Sequence, residues 1–186
     1  MFTETPLKDL LIYRPKVFND SRGYFFESFN ALHFQQRGFS QPFVQDNRSF
    51  SQRGTLRGLH LQRGEHAQAK LVTVLSGHVY DVAVDLRSSS STFGKWYGIE
   101  LKAEDPTSLY IPRGFAHGFV VLSETAEFFY KVDNFYNKES EAGIIFNDNE
   151  LSIDWKIPFE ALILSDKDKA LPTFSEFSLK QKREQT

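Results

Sequence analysis

The sequence contains no cysteine and very little methionine or tryptophan. Without cysteine the protein can form no disulfide, no thiolate zinc site and no cysteine nucleophile. It also lacks any apolar stretch approaching the ~20 residues that a membrane-spanning helix requires. Its opening, MFTETPLKDL, has no charged start followed by an apolar run, so we expect no signal peptide. These absences favour a cytoplasmic protein with no membrane partner.

An excess of charge of either sign is also missing. The chain has 22 Lys and Arg residues against 24 Asp and Glu residues, for a net charge of −2. We therefore expect no nucleic-acid partner, because nucleic-acid binding proteins usually carry a basic excess. Any anionic ligand must be held by a local cluster of cations.

The residues that are present favour a β-rich globular domain. The chain has 186 residues, of which 40% are hydrophobic and 19 are phenylalanine. This length predicts one domain, residues 1–186, with about 70% of the unfolded chain's surface buried on folding. A core rich in phenylalanine suits sheets better than helices.

Short β-like runs recur along the chain between turn signals. KLVTVL and HVYDVAVDL flank Ser76–Gly77, which predicts a tight hairpin at that dipeptide. In the second run Val79, Asp81 and Ala83 share one face, and the residues between them share the other. Further candidate strands are KWYGIEL, TSLYIP, AHGFVVL, AEFFYKVDNFY and AGIIF. Strands at this spacing without intervening helices indicate a sandwich or barrel.

Helical pattern is scarce and lies near the two ends. FNALHFQQRGF, ended by Gly38, predicts one short helix, and FEALILSDKDKALPTFSEF predicts one or two more turns. The tail KQKREQT is entirely polar or charged, so we expect the chain to fray from about residue 178.

The histidines do not form the metal site that is common in small β-barrels. A cupin metal site requires two histidines two positions apart, then a glutamate, then a histidine on a later strand. His60 and His117 match the first and last of these positions. Gln62 replaces the second histidine, and Lys70, a cation, lies where the glutamate is expected. The sequence therefore predicts no metal ion.

His60, in RGLHLQ, faces away from the two leucines beside it and has two remaining interpretations. It is either a packed histidine or a general base, which works best when a carboxylate fixes its tautomer. Spacing alone leaves the partner open among four carboxylates: Glu27, Asp81, Glu141 and Asp168.

Groups that could complete proton transfer from carbon are also present. Lys70 and Arg57 could stabilise the developing oxyanion. Tyr130 could return the proton, although its shared face with Phe128 and Val132 equally suits a core tyrosine. SRGYFFESF, with Arg22 and flanking aromatic rings, could hold a nucleotide diphosphate or could form an ordinary solvated turn.

Several of these segments occur together, and in order, in one known family. They are SRGYFFESF, VQDNRSFSQRGTLRGLHLQ, QAKLVTVLSGHVYDVAVDLR, STFGKWYGIEL, IPRGFAHGFVVLSETAEFFYKV, GIIFNDNELSIDW and LSDKDKALP. From about Arg14 to Phe174 the chain resembles the dTDP-4-dehydrorhamnose 3,5-epimerase family. The resemblance implies an all-β, cupin-like double-stranded β-helix, or jelly-roll barrel, with short helices near the termini. It also implies a homodimer that uses no cofactor.

The resemblance further assigns roles to particular residues. His60 corresponds to the general base, Asp168 to its carboxylate partner and Tyr130 to the proton donor, while Lys70 and Arg57 lie near the sugar ketone and the diphosphate. The RGYFFE segment is expected to reach the nucleotide bound in the partner subunit. The expected substrate-binding residues are Arg22, Glu27, Gln45, Asp46, Asn47, Arg57, Lys70, His117, Glu141 and Lys167.

The implied reaction is epimerisation at C3 and C5 of dTDP-4-dehydro-6-deoxy-D-glucose, which gives dTDP-4-dehydro-L-rhamnose for dTDP-L-rhamnose biosynthesis. The alternative is a single-carbon epimerase or ketoisomerase acting on a related dTDP-4-keto-6-deoxy sugar. Two other classes are a metal-dependent cupin enzyme, which Gln62 and Lys70 disfavour, and a nucleotide-sugar binding module without catalysis.

Overall fold

A computed structural model describes residues 1–39 and 41–184 of the chain. Two antiparallel sheets face each other, which is the jelly-roll arrangement that the family resemblance implies. The six-stranded sheet has the order β1 (Phe2–Glu4), β2 (Leu11–Tyr13), β10 (Ser108–Ile111), β7 (Lys70–Ser76), β12 (Thr125–Val132) and β5 (Gln45–Gln52). The five-stranded sheet has the order β13 (Glu141–Gly143), β6 (Leu56–Gln62), β11 (Phe115–Val121), β8 (His78–Asp85) and β9 (Trp96–Lys102).

The remaining elements lie outside the two large sheets. β3 (Val17–Asp20) and β4 (Gly23–Phe26) form a separate hairpin, and single 3₁₀ turns cover Gly64–His66, Lys138–Ser140 and Phe159–Ala161. The helices are α1 (Ala31–Gln36), α2 (Asp166–Lys169) and α3 (Phe174–Glu184). Within the described ranges, no helix combines the length and the apolar character needed to cross a bilayer.

The main core lies between the facing sheets. Val72 and Phe128 from the six-stranded sheet pack in one cluster with Val79 and Phe119 from the five-stranded sheet. The stacked rings of Phe119 and Phe128, with centroids 4.1 Å apart, join the two layers directly. Alternate residues of each strand enter this core, because successive side chains of a strand point to opposite faces.

The outer faces of both sheets are covered as well. Leu59 and Leu61 of β6 pack outward against the C-terminal segment, which contributes Trp155 and Phe177. On the six-stranded sheet, helix α1 contributes Phe34 to a second outer cluster. Because Leu59 and Leu61 point outward, the residue between them, His60, points into the space between the sheets.

The hairpin predicted at Ser76–Gly77 is wrong. β7 pairs with β10 and β12, whereas β8 pairs with β9 and β11, so the chain crosses here from one sheet to the other. Gly77 has φ +81°, and a Cβ at this position would lie 2.1 Å from the carbonyl oxygen of Thr125. The close approach of two backbones at this crossing requires glycine. Alternation fixes which face a side chain occupies but does not specify which strand is its neighbour.

The tail from about residue 178, which we expect to fray, forms the second half of a helix in the structure. Helix α3 continues to Glu184, and its Phe177 is buried against the outer core. Glu184 forms an ion pair with Arg63, and the amide of Gln181 donates to the carbonyl oxygen of Leu86 at 3.1 Å. These contacts hold a helix whose sequence is mostly polar. Residues 185 and 186 lie outside the described residues.

Candidate active site

A cavity of about 680 Å³ opens between the two sheets at one end of the barrel. Its volume falls within the usual range for small-ligand sites. Both sheets and the segment leading into α2 contribute to its walls. The lining includes Arg57, His60, Lys70, His117, Tyr130 and Asp168.

His60 and Asp168 form a hydrogen-bonded pair in the wall of this cavity. The distance between His60 Nε2 and Asp168 Oδ1 is 2.6 Å, although the two residues lie 108 positions apart in the sequence. Burial by itself would raise the pKa of Asp168, but hydrogen bonds from His60 and Ser165 outweigh it and lower the pKa. Because an ionised carboxylate only accepts hydrogen bonds, the hydrogen in this contact lies on Nε2, and in the neutral ring the lone pair is then on Nδ1.

The start of β6 brings these two residues together. The backbone N–H of Leu56 donates to the carbonyl oxygen of Ile163 at 3.0 Å, and Thr55 and Ile163 form a parallel bridge. This pairing anchors the segment that leads into α2. Asp168, on α2, therefore lies beside the face of β6 that carries His60.

Lys70, at the start of β7, extends toward His60 from the opposite sheet. Its Nζ donates to the backbone carbonyl oxygen of His60 at 3.4 Å. Burial lowers the pKa of Lys70 to about 8, and the negative charges of Asp81 and Glu141 partly oppose this effect. Lys70 is therefore cationic at neutral pH and places a positive charge beside the proposed base.

Asp81 and His117 form a second carboxylate–imidazole pair, deeper between the sheets. His117 Nε2 and Asp81 Oδ2 are 2.8 Å apart, and Asp81 is fully buried. Its second oxygen, Oδ1, has no hydrogen-bond partner among the described residues. Burial lowers the pKa of His117 despite the nearby carboxylate, so its neutral ring donates from Nε2. The sequence leaves Asp81 open as a partner for His60, but the structure pairs it with His117.

Tyr130 lines the cavity from β12, in the sheet that faces the one carrying His60. It shares its inward face with Phe128, as the sequence alternation predicts, and it packs against the main core. Burial raises its pKa, the nearby guanidinium of Arg57 opposes this, and the net pKa is raised. The hydroxyl group is therefore protonated at neutral pH and can donate a proton.

Three further residues predicted to bind substrate lie at or near the cavity. Arg57 and Asn47 both line it, and the Nε of Arg57 donates to Ser51 Oγ at 3.1 Å. Gln45 lies beside Asn47 and donates to its side-chain oxygen at 2.8 Å. Ser51, which supports Arg57, was not identified from the sequence. It lies in VQDNRSFSQ on the same inward face of β5 as Gln45 and Asn47, and this alternation could have identified it.

Glu141 and Lys167 form an ion pair next to the cavity. Glu141 begins β13, and Lys167 lies on α2 beside Asp168. The hydroxyl of Tyr136 also donates to Glu141 at 3.2 Å. Burial opposes ionisation of Glu141, but the hydrogen bonds from Lys167 and Tyr136 outweigh it and lower its pKa. Both predicted residues are thus placed near the His60–Asp168 pair.

Three predicted binding residues lie outside the cavity of their own chain. Asp46 projects from the opposite face of β5 and pairs with Lys131 at 2.7 Å. Arg22 lies in the exposed turn of the β3–β4 hairpin, where it pairs with Asp20. Glu27 follows that hairpin and accepts a hydrogen bond from the Asn30 side chain at 3.1 Å. The resemblance implies such a separation for Arg22 and Glu27, whose segment is expected to reach the partner subunit. It does not indicate that Asp46 lies on the opposite face of β5 from its neighbours.

Ser165 was also missed from the sequence. It is the N-cap of α2, and its hydroxyl contacts the carboxylate of Asp168 at 2.7 Å. Its spacing from Asp168, Ser-x-x-Asp, is close to that of a capping box and could have identified it. Over residues 1–39 and 41–184 the structure contains no group of three or more His, Cys, Asp or Glu side chains arranged to hold a metal.

Comparison with known proteins gives the family. The sequence model described as dTDP-4-dehydrorhamnose 3,5-epimerase matches residues 4–176. The chain belongs to this epimerase family. The dTDP-4-dehydrorhamnose 3,5-epimerase of Escherichia coli K12 is 53% identical over 173 residues, which cover 92% of this chain and 93% of that protein. Members of the family are isomerases, so the chain is classed as an isomerase.

Solved structures support the same assignment. The crystal structure of dTDP-4-dehydrorhamnose 3,5-epimerase from Elizabethkingia anophelis has a TM-score of 0.92 and 60% identity, covering 95% of this chain and 97% of that one. The dTDP-6-deoxy-D-glucose-3,5-epimerase of Legionella pneumophila has a TM-score of 0.89 and 46% identity, covering 94% and 93%. That protein was crystallised in complex with dTDP-4-keto-L-rhamnose. The epimerase fold of this chain is therefore the cupin-like barrel of its relatives.

Proposed function

We propose that this epimerase inverts both C3 and C5 of dTDP-4-dehydro-6-deoxy-D-glucose to give dTDP-4-dehydro-L-rhamnose. The observation that carries this proposal is the position of two proton-transfer groups on opposing sheets. His60, held by Asp168, lies on the five-stranded sheet, and Tyr130 lies on the six-stranded sheet across the same cavity. Inversion at carbon requires a proton to leave one face and another to return to the opposite face.

In the proposed first step, His60 Nδ1 removes the hydrogen on a carbon next to the C4 ketone. The C–H electron pair forms the C=C bond of an enolate, and the negative charge moves to the C4 oxygen. Lys70, cationic at neutral pH, is the first choice to stabilise that oxygen, because a positive charge near a developing oxyanion lowers the barrier.

In the second step, the hydroxyl of Tyr130 gives its proton to the other face of the carbon, and the ketone re-forms. His60 then loses its proton to solvent and Tyr130 regains one, after which the steps repeat at the second carbon. A positioned acid or base contributes ~10²–10⁴ in rate, and an oxyanion donor about 10²–10³.

We propose that no metal or other cofactor takes part. Lys70 lies near the position at which a metal cupin uses an acidic ligand, and a cation there repels a metal ion. The Nε2 atoms of both cavity histidines are also engaged by carboxylates, at 2.6 Å for His60 and 2.8 Å for His117.

We further propose that the protein is a homodimer in which the β3–β4 hairpin of one subunit completes the site of the other. The hairpin exposes three large apolar side chains, Phe18, Tyr24 and Phe25, beside the basic Arg22. Exposed aromatic rings next to a cation are suited to binding a nucleoside diphosphate, because the rings can pack on the base and the cation can pair with the phosphates. Arg22 and Glu27 would then act on the partner's substrate, which accounts for their distance from their own cavity. We expect the enzyme to act in the cytoplasm, where cells hold the nucleoside triphosphates from which nucleotide sugars are made.

The proposed activity is tested by incubating the purified protein with dTDP-4-dehydro-6-deoxy-D-glucose in D₂O. We expect deuterium at both C3 and C5 by NMR, and a product that a downstream 4-ketoreductase converts to dTDP-L-rhamnose. Deuterium at one carbon alone would replace the proposal with a single-carbon epimerase. Binding without any exchange would indicate a nucleotide-sugar binding module.

A further inference from the structure

Asp168 is held at both of its carboxylate oxygens. Oδ1 lies 2.6 Å from His60 Nε2, and Oδ2 accepts from the hydroxyl of Ser165 at 2.7 Å. The same hydroxyl oxygen accepts from the backbone N–H of Asp168 at 3.1 Å. Since Asp168 is only 4% exposed, these protein groups rather than bulk water fix its orientation.

The geometry differs from that of an ordinary helix cap in one respect. In a capping box the side chain three residues after the N-cap turns back to the N-cap backbone N–H. Here Ser165 is the N-cap and Asp168 is the third residue after it, but the carboxylate contacts the serine hydroxyl and the imidazole of His60 instead. The short α2, Asp166–Lys169, thus contributes its cap to the cavity wall, which Ser165 also lines.

We propose that Ser165 is a positioning residue for the epimerisation. Its hydroxyl fixes the carboxylate of Asp168 in the orientation that holds the ring of His60, with Nδ1 left to accept the proton of the substrate. This inference rests on the proposed function, because it assigns His60 as the base. The competing explanation is that Ser165 only caps α2.

The two explanations differ in their expected pH dependence. Hydrogen bonds from Ser165 lower the pKa of Asp168, so removal of the hydroxyl raises that pKa. A carboxylate with a higher pKa is a stronger acceptor for the ring N–H and favours the protonated imidazole, which cannot act as the base. Loss of the hydroxyl therefore moves the fall in activity at low pH to a higher pH. The charged and titratable groups that face the pair are Lys70 on β7, whose Nζ lies 3.4 Å from the carbonyl oxygen of His60, Glu141 on β13, which pairs with Lys167 on α2, and the neutral ring of His117 on β11.

Three variants separate positioning from capping. Ser165→Ala removes both the cap and the donor, whereas Ser165→Gly removes the donor and keeps most of the capping, since glycine is a fair N-cap. Ser165→Thr keeps both. We expect kcat to fall about tenfold in the Ala and Gly variants with KM nearly unchanged, as for loss of a hydrogen bond to a charged group. The low-pH fall of kcat should move upward in both, and the Thr variant should restore the wild-type profile.

The matched control is Ser178→Ala on α3. Among the described residues its hydroxyl donates within its own helix, to the carbonyl oxygen of Phe174. Wild-type kcat and pH profile in both Ser165→Ala and Ser165→Gly would overturn the inference. So would a loss of kcat in the Ala variant alone, with a lower thermal midpoint and an unmoved pH profile, because capping explains that result. An inactive wild-type protein would instead defeat the proposed function.

Discussion

His60 and His117 occupy paired positions on β6 and β11, yet their Nε2 atoms bond different carboxylates, Asp168 and Asp81. The two rings also differ in access to the cavity. The side chain of His60 is 28% exposed, whereas that of His117 is 7% exposed. Since a base must reach the substrate, this difference supports the proposal that His60 removes the proton, while His117 is a buried neutral donor to Asp81.

The first prediction concerns the variant His60→Asn. Asparagine keeps a polar group of similar reach but cannot accept a proton near neutral pH, so turnover should fall ~10²–10⁴-fold. Substrate affinity should change little, because the base acts mainly in the transition state. Deuterium incorporation at C3 and C5 in D₂O, followed by NMR, measures the step directly.

A matched control is available at the surface. His78 also contacts a carboxylate, with Nε2 3.0 Å from Glu100, but it lies outside the cavity lining. We expect His78→Asn to exchange deuterium at the wild-type rate. If His60→Asn did the same, the base would have to be another group.

The second prediction concerns Tyr130→Phe, which removes the hydroxyl on the sheet opposite His60. Proton removal should continue, so deuterium should still enter the substrate, but return to the opposite face should fail. We therefore expect exchange with retained configuration and little L-rhamnose product after reduction. Tyr80→Phe, on the outer face of β8, is the control with full inversion. Complete epimerisation by the Tyr130 variant would mean that a different acid serves the reaction.

Local sequence pattern predicted much of the fold but not the pairing of its parts. The alternation in HVYDVAVDL correctly placed Val79, Asp81 and Ala83 on one face of β8, which the structure shows to be the inner face. The hairpin at Ser76–Gly77 failed because strand partners are set by contacts between distant segments. The pattern predicts only one or two helical turns before Phe177, whereas α3 continues to Glu184 and packs through the buried ring of Phe177.

For the site as well, the sequence offered candidate residues but not the pairs that they form. Residue types offered His60 and Tyr130 as candidates, and the resemblance supplied their proposed roles and Asp168 as the partner. Spacing could not choose among the carboxylates, because Asp168 reaches His60 only through the pairing of Ile163 with the start of β6. Likewise, nothing local to Asp81 indicates that its partner is His117, which lies 36 positions later on an adjacent strand.

The third prediction concerns the fall in activity at high pH. If cationic Lys70 stabilises the enolate, kcat should decrease as pH rises through about 8, the pKa of that residue. Asp81 raises the pKa of Lys70, so Asp81→Asn should move this decrease to lower pH. The measurement is kcat as a function of pH, from about pH 6 to about pH 9.5. This range extends roughly 2 units below and 1.5 units above the pKa of Lys70.

The groups that face Lys70 allow an internal comparison. Glu141 on β13 also raises the Lys70 pKa, but less than Asp81 does, while His60, His117 and Tyr130 complete its surroundings. Glu141→Gln should therefore shift the high-pH decrease in the same direction by a smaller amount. Glu100→Gln, on the surface strand β9, should leave it in place. An unmoved decrease in Asp81→Asn would exclude Lys70 as its origin.

The fourth prediction tests whether each site is built from two subunits. If Arg22 of one chain completes the cavity that holds His60 of the other, the variants Arg22→Ala and His60→Asn can complement each other. A mixed dimer of the two contains one site with both native residues and one site with neither. We expect each variant alone to be weakly active and the mixture, after subunit exchange, to regain activity.

The size of the recovery is fixed by symmetry. Random pairing at equal concentrations makes about half of the dimers mixed, and one site in two is then intact, so about a quarter of wild-type activity should return. The control mixture, His60→Asn with Asp168→Asn, should regain activity only if those two residues also act across subunits. In the structure they pair within one chain at 2.6 Å, so no recovery is expected there. Recovery in the control but not in the Arg22 mixture would mean that the hairpin serves its own chain and that the catalytic pair is shared, the reverse of the proposed assembly.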